Sequence, residues 1–165
     1  LGAPLAPDNA WGIIQGLETV PLRMKQHCSN AEKTVDFLKK HKNVERVIYP
    51  TLHQGEIAAR SKKYFKGGNG ALVGIEVKGG VEAGKKFIES LKMFYHVANI
   101  GDARSLAIHP ATTTHSQLTE EELLAAGVTP GYVRLSIGIE HPDDIIADLD
   151  QALNQSGKPN LKAVG

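Results

Sequence analysis

The hydrophobic pattern of this chain changes period repeatedly, and this alternation constrains the fold more than any other feature. Short apolar runs typical of strands lie at residues 44–49, 71–77, 106–108 and 132–137. Between and after them, helical patterns are found at residues 54–64, 81–94, 119–127 and 142–153. Strands that alternate with helices predict an α/β fold, in which helices cover a mixed sheet of about four strands.

A long helical pattern precedes the first strand. Asp8 or Asn9 is predicted to cap it, and an interruption is expected near Pro21, because proline has no backbone N–H to donate. The pattern runs to about Lys40, so the helix has roughly thirty residues, against a usual ~10–14. Helices of this length often bridge two domains. The predicted division is an interdomain helix at 1–42, which ends a preceding domain, a C-terminal α/β domain at 43–156 and a tail at 157–165.

The composition is that of a folded chain with nearly balanced charge. Of the 165 residues, 41% are hydrophobic and 22% are charged, as in globular domains. The 19 basic and 18 acidic side chains leave a net charge of +1, so neither nucleic acid nor a membrane is predicted as a partner. Cys28 is the only cysteine, which excludes an internal disulfide and is compatible with a cytoplasmic protein. The sequence has no initiator Met and leads directly into a helical pattern, so we expect a fragment or proteolytic remnant of a longer protein, with a processed start as the alternative.

Two glycine-rich segments raise the possibility of phosphate or dinucleotide binding. Residues 79–85 have the glycine and lysine spacing of a P-loop and lie between a strand and a helix. However, Lys86 stands where a Ser or Thr would hold magnesium, and Glu82 would repel phosphate. A strand exit followed by a solvated helix face is therefore the favoured interpretation. Residues 68–70 precede a strand instead of following one, which is the wrong context for a dinucleotide site.

Histidine and cysteine residues offer little support for metal binding or nucleophilic catalysis. His109 and His115 share a predicted loop, without a cysteine or carboxylate between them. Structural zinc requires four ligands, so loop histidines that form hydrogen bonds are the favoured interpretation, and no metal site is predicted. Cys28 follows His27 in a helical pattern, where adjacent residues point in different directions and cannot pair as nucleophile and base. A structural, partly buried cysteine is expected.

Arg134 is the cation whose role the residue pattern leaves most open. It lies in the predicted strand at 132–137, where Val133 and Leu135 share one face and Arg134 and Ser136 share the other. An exposed surface cation is one interpretation. A guanidinium placed on a rigid strand to bind a carboxylate is the other.

Three segments resemble the C-terminal domain of a known enzyme family. They have the sequences NIGDARSL at 99–106, IHPATTTH at 108–115 and VRLSIGIE at 133–140. Further upstream, Leu17-Glu18-Thr19, Leu22-Arg23, His27 and Asn30-Ala31 resemble the interdomain helix of the same family. In order, and over essentially the whole chain, these segments resemble the Cys/Met-metabolism family of pyridoxal-phosphate (PLP) enzymes.

The resemblance implies the aspartate-aminotransferase-like fold (fold type I), with this chain as the smaller C-terminal domain. It implies that PLP, its phosphate ligands and the lysine that forms a Schiff base with it belong to a missing N-terminal domain. No catalytic lysine, bound cofactor or activity is therefore expected of these 165 residues alone. The full-length protein is expected to be a cytoplasmic homo-oligomer, with a tetramer as the expected state.

The resemblance also implies roles for three residues. Arg134 matches the arginine that binds the α-carboxylate of the amino-acid substrate. Asn99 stands where many relatives have a serine that lines the same subsite, and Thr114 lies in a loop that approaches the active site in relatives.

Within the family, residues 99–102 and 117–132 resemble the O-acetylhomoserine sulfhydrylases. This implies a γ-replacement that makes homocysteine or methionine from O-acetylhomoserine and sulfide or a thiol. Cystathionine γ-synthases, cystathionine lyases and methionine γ-lyases are alternatives within the family. A non-catalytic interaction domain and a nucleotide binder are alternatives from other classes.

Overall fold

Two consecutive helices begin the structure, a computed structural model that describes residues 2–157. Helix α1 spans Pro7–Glu18 and helix α2 spans Val20–Leu38, with Thr19 between them. The predicted interruption is confirmed, but the break lies at Thr19 because Pro21 occupies the first turn of α2. At that position an N–H would have no partner within the helix, so proline is tolerated.

The first helix starts earlier than the sequence predicted. Ala6 has an extended conformation (φ −61°, ψ 142°), and Pro7 follows it in the first turn of α1. Proline fixes φ near the helical value, so the helix can open there without a side-chain cap. Asp8 lies inside the first turn, where its negative charge is favourable. The predicted cap at Asp8 or Asn9 is therefore wrong.

Five strands form one mixed sheet. Their ranges are β1 Val44–Ile48, β2 Leu72–Val77, β3 Tyr95–His96, β4 Leu106–Ile108 and β5 Tyr132–Ser136. The order across the sheet is β1-β2-β5-β4-β3, in which β3 pairs parallel with β4 and all other pairs are antiparallel. The four predicted strands are confirmed to within a residue or two, and β3 is an additional edge strand.

Within the described residues, four further α-helices connect or flank the strands. They are α3 Gly55–Tyr64, α4 Gly80–Ser90, α5 Glu120–Ala125 and α6 Pro142–Ser156. The predicted capping box of α5 is confirmed, because Thr119 accepts from the Glu122 backbone N–H while the Glu122 carboxylate accepts from Thr119. Within residues 2–157, no helix combines the length and the apolar character needed to cross a bilayer. Most of the predicted tail, residues 158–165, lies outside the described residues.

Helix α4 ends four residues earlier than predicted. The pattern predicted helix to Phe94, but the backbone becomes extended at Leu91 (φ −65°, ψ 138°). The buried carboxylate of Asp148 in α6 accepts hydrogen bonds from the backbone N–H groups of Met93 at 2.8 Å, Lys92 at 2.9 Å and Phe94 at 3.3 Å. These hydrogen bonds replace those that a continued helix would form, and β3 begins at the next residue, Tyr95.

The hydrophobic core lies on one face of the sheet, between the strands and α2, α4 and α6. Val73, Ile75, Val133 and Leu135 contribute the sheet side of this core and are fully buried. The helices contribute Ala31, Leu38, Phe87, Ile145 and Leu149, which are also fully buried. Because side chains alternate along a strand, the residues between the core positions of β5 project from the opposite face.

Candidate functional site

Arg134 lies in the middle of β5 and projects away from the core. Its neighbours in sequence, Val133 and Leu135, are both fully buried on the core side. Its cross-strand partners are Gly74 on β2 and Ile108 on β4, so strands on both sides hold the backbone at this point. The sequence therefore places a cation on the central strand of the sheet, which is paired on both sides.

The Arg134 guanidinium is held at one end by backbone carbonyls. Its Nη2 donates to the Ala98 carbonyl at 2.6 Å and, at the limit of hydrogen bonding, to the Asn99 carbonyl at 3.5 Å. A guanidinium has five N–H donors, so most of the donors of Arg134 remain available to a ligand. Within residues 2–157, no carboxylate forms an ion pair with Arg134. An oriented cation without a counterion is suited to bind an anionic ligand.

Tyr132 and Gly74 shape the surface beside Arg134. The Tyr132 ring lies over Gly74, since a Cβ on this glycine would be 2.8 Å from Tyr132 Cε2. Burial raises the pKa of Tyr132, and the charge of Arg134 offsets this only in part. The phenol therefore stays neutral near pH 7 and does not compete as an anion for Arg134.

An apolar groove of about 410 Å³ lies close to this strand. It is lined by Ser136, two residues along β5 from Arg134, by Gly101, and by large apolar side chains. Those apolar side chains are Met24, Phe65, Leu72 and Ile100.

The three residues singled out from the sequence have different positions. Asn99 contacts Arg134 through its backbone carbonyl, and not through the side chain that replaces the family's serine. Thr114 is exposed and its Oγ1 lies 2.8 Å from Nδ1 of His115. No hydrogen bond joins Thr114 to Arg134 in the part of the chain that the structure describes. The structure thus brings Asn99, but not Thr114, into contact with Arg134.

His109 is a structural residue, as the sequence indicated. Its Nε2 lies 2.8 Å from the Pro130 carbonyl, and its Nδ1 lies 2.9 Å from the Thr112 hydroxyl. The ring is fully buried, and this burial lowers the pKa of His109 despite the opposing effect of the Pro130 carbonyl. Among residues 2–157, no three potential ligands cluster as a metal site would require.

The remaining candidate sites have structural explanations. Gly79 adopts φ +109°, a conformation that favours glycine, and it caps α4. Gly79 and Gly80 therefore make the turn between β2 and α4. Cys28 is half-buried against Gly68, whereas Nδ1 of its neighbour His27 lies 2.6 Å from the Ile137 carbonyl. Nδ1 of His27 is therefore engaged by a backbone carbonyl of the loop after β5.

The residues that hold the segment around Ala98 were not identified as site residues from the sequence. They are Ser105 and Glu140, whose side chains join two loops, and His27 and Asn30, which bind the second of those loops. These contacts span 33 to 110 residues, which is beyond the reach of any local pattern. However, all four residues lie in the segments that carry the family resemblance, and that was the only indication of them in the sequence.

A solved structure has the same fold. A putative O-acetylhomoserine (thiol)-lyase from Campylobacter jejuni, which contains N'-pyridoxyl-lysine-5'-monophosphate at position 205, matches with a TM-score of 0.84 and 47% sequence identity. The match covers 93% of this chain and 36% of that one. The fold is that of the small α/β domain of a fold type I PLP enzyme.

The sequence comparisons are more specific. The chain belongs to the Cys/Met metabolism PLP-dependent enzyme family, whose model matches residues 1–154. It is 57% identical over 154 residues to an O-acetyl-L-homoserine sulfhydrylase of Leptospira meyeri and 49% identical over 157 residues to an L-methionine gamma-lyase of Fusobacterium nucleatum. These matches cover 93% of this chain but only 35% and 39% of the two relatives. The family predicted from the sequence is confirmed.

Proposed function

We propose that this chain is part of a PLP-dependent enzyme that makes homocysteine or methionine from O-acetylhomoserine and sulfide or a thiol. This part would bind the carboxylate of the substrate. The observation that carries this proposal is the Arg134 guanidinium, which is oriented at one end and has no acidic partner among residues 2–157. The identity of 57% to a sulfhydrylase favours this reaction. The identity of 49% to a methionine gamma-lyase makes cleavage of methionine the second candidate.

The described residues are better suited to bind the amino-acid substrate than to bind the PLP cofactor. The glycine turn before α4 is followed by Glu82 in the first turn of the helix, where a carboxylate would repel a phosphate. Arg134, in contrast, is suited to a carboxylate. We therefore assign PLP and its lysine to the part of the protein outside this chain. When bound, PLP would stabilise the negative charge that develops at Cα of the amino acid.

Arg134 would bind the α-carboxylate with its planar fork. Charge-assisted hydrogen bonds from two N–H groups fix both the position and the plane of the carboxylate, which a lysine ammonium cannot do. Because the Ala98 carbonyl restrains Nη2, the guanidinium has little freedom to rotate. An anchored carboxylate in turn orients Cα and the side chain that carries the leaving group. Asn99 would border the same subsite, and Thr114 would approach it only through its loop.

The partners proposed for the chain are the N-terminal PLP domain and further copies of the full-length protein, as a tetramer. Helix α1 supports a covering partner, since Trp11 is 67% exposed and Leu17 is 61% exposed. Large apolar side chains exposed on one helix are typical of an interaction surface. We place the reaction in the cytoplasm, as the single cysteine suggests.

The test is a kinetic comparison in the full-length enzyme. Homocysteine formation from O-acetylhomoserine and sulfide is measured beside release of methanethiol from methionine, and the first is expected to be faster. Arg134→Ala should lower kcat/KM by roughly thirty- to a thousand-fold, or about 2–4 kcal/mol, while PLP stays bound. Arg134→Lys should recover little, because a point charge does not reproduce the fork.

Arg46→Ala is the matched control. Arg46 lies on the edge strand β1 and pairs with Glu76 at 3.2 Å, so its loss should leave the kinetics unchanged. Nearly normal efficiency of Arg134→Ala would contradict the assignment of this arginine, and an enzyme without either activity would contradict the proposed function.

A further inference from the structure

The orientation of Arg134 depends on a segment without regular secondary structure. Residues 97–105, here called the bridging segment, connect β3 to β4. Its Ala98 carbonyl is the acceptor that restrains Nη2 of Arg134. The Ser105 carbonyl accepts from the Tyr95 N–H of β3 at 3.0 Å. The Ala98 carbonyl lies outside any helix or strand, so its position depends on other contacts.

The carboxylate of Glu140 and backbone hydrogen bonds hold the C-terminal end of the bridging segment. Glu140 accepts a hydrogen bond from the Ser105 backbone N–H at 2.7 Å and another from the Ser105 hydroxyl at 2.9 Å. The Ser105 hydroxyl also accepts from the Gly138 N–H at 2.9 Å, and Ser105 is completely buried. The Ile139 N–H donates to the Ala103 carbonyl at 2.8 Å. Hydrogen bonds to an ionised, partly buried carboxylate are among the stronger ones in proteins.

The loop that carries Glu140 is itself anchored. Residues 137–140 follow β5 directly, and Asn30 of α2 donates to the carbonyls of Gly138 at 3.0 Å and Glu140 at 2.8 Å. His27, one turn earlier in α2, lies 2.6 Å from the Ile137 carbonyl. A Cβ on Gly138 would overlap Ala103 and Ser105, so the two loops pack without room for a side chain. The position of Glu140 is therefore set by α2 and by the end of the strand that carries Arg134.

We propose that Glu140 and Ser105 are positioning residues for Arg134. They do not touch the substrate. They tie the bridging segment to the end of β5, and this holds the Ala98 carbonyl where it fixes the plane of the guanidinium. The inference rests on the proposed function only in that the quantity affected is recognition of the substrate carboxylate.

A double-mutant cycle in the full-length enzyme separates positioning from general stability. Glu140→Ala should lower kcat/KM for O-acetylhomoserine about ten-fold when Arg134 is present, because both bonds to Ser105 are lost. In the Arg134→Ala background, the same change should cost less than about two-fold, since the guanidinium it positions is gone. Glu140→Gln keeps one acceptor and should cost about three-fold. Glu45→Ala, an exposed glutamate on the edge strand, should change nothing.

Ser105→Ala provides a second route if Glu140→Ala fails to fold. It keeps the backbone bond to Glu140 but loses the hydroxyl bonds, and its effect should likewise vanish in the Arg134→Ala background. Equal losses in both backgrounds, or no loss when Arg134 is present, would overturn the proposal.

Hydrogen exchange decides the question independently of turnover. On the same full-length proteins, Glu140→Ala should speed amide exchange across residues 97–105 and leave α6 unchanged. If the enzyme does not use O-acetylhomoserine, the proposed function fails, but this measurement still applies. Unchanged exchange in the bridging segment would then refute the positioning role.

Discussion

At the scale of single residues, His109 and Gly84 show how tightly the domain is assembled behind its site. The imidazole of His109 is packed against Gly84 in α4, where a Cβ would be 2.6 Å from Nε2. The ring cannot move aside easily, because Pro130 and Thr112 hold its two nitrogens. One ring thus joins α4, the loop before α5 and the start of β5.

Gly84→Ala should therefore destabilise the domain, although alanine normally favours a helix. We expect the free energy of unfolding to fall by about 1–3 kcal/mol, because the new methyl group overlaps the imidazole. Gly12→Ala in α1 is the matched control, since nothing lies within 4 Å of its added Cβ. Urea unfolding of both variants measures the difference, and a Gly84→Ala variant as stable as the wild type would refute the contact.

His109 should also make stability depend on pH. Burial lowers its pKa in the folded chain below the ordinary 6.5, so the unfolded chain binds more protons between the two values. Stability from this residue is complete above about pH 6.5 and is lost as pH falls through the folded pKa. Unfolding free energies at about pH 7.5 and about pH 5 should differ more in the wild type than in His109→Asn. Equal differences would show that His109 does not titrate as described.

The sequence indicated Arg134 as a candidate for binding the carboxylate but did not indicate what orients it. The alternation of apolar and polar residues in β5 predicted that Arg134 faces away from the core. The resemblance to the PLP enzyme family implied its role. Its partner Ala98 is 36 residues away and acts through a backbone carbonyl, which any residue type can provide. Glu140 and Ser105 lie in segments that carry the family resemblance, but their contact could not be predicted because it depends on how two loops meet after the sheet has formed.

At the scale of secondary structure elements, a side-chain contact from a distant helix sets the end of α4. Asp148 of α6 accepts backbone hydrogen bonds from residues 92–94, which follow the end of α4. The strand β3 follows directly. The hydrophobic periodicity of residues 81–94 predicted a helix as far as Phe94. A local pattern contains no information about the contact with α6, so the earlier end of the helix could not be predicted. Where the controlling contacts were local, as in the capping box at Thr119, the sequence was sufficient.

Asp148→Asn should loosen the junction between α4 and β3. An amide cannot accept several N–H donors as well as a carboxylate does, so we expect a loss of about 2 kcal/mol in unfolding free energy. Amide exchange at residues 92–96 should become faster. Asp36→Asn, an exposed position in α2, is the control and should have little effect. An unchanged exchange rate at residues 92–96 in Asp148→Asn would contradict the role given to this carboxylate.

At the scale of the whole molecule, the described residues form one well-packed domain that is preceded by helix α1, which has no buried residues. Helix α1 exposes Trp11, Ile13, Ile14 and Leu17, each by more than half. The chain spans about 35% of the length of its sulfhydrylase relative. The assignment of residues 1–42 to the end of a PLP domain remains a prediction that this exposure supports.

We expect α1 to be the least stable element of the 165-residue chain. Hydrogen exchange of its backbone amides at residues 10–18 should be at least about ten times faster in the 165-residue chain than in the full-length protein. In the full-length protein, other surfaces would cover the helix. The amides of α6, which is buried in both, should serve as an internal reference. Strong protection of α1 in a dilute monomer of the 165-residue chain would contradict this view.

The central claim is that Arg134 recognises the α-carboxylate of the substrate, and a substrate analogue tests it most directly. The measurement is the ratio of kcat/KM for O-acetylhomoserine to that for its α-carboxamide, in the full-length wild type and in Arg134→Ala. We predict that the wild type prefers the acid by about a hundred-fold and that the variant prefers it by less than about three-fold, because only the carboxylate forms charge-assisted bonds with the fork. An undiminished preference in Arg134→Ala would show that another residue binds the carboxylate.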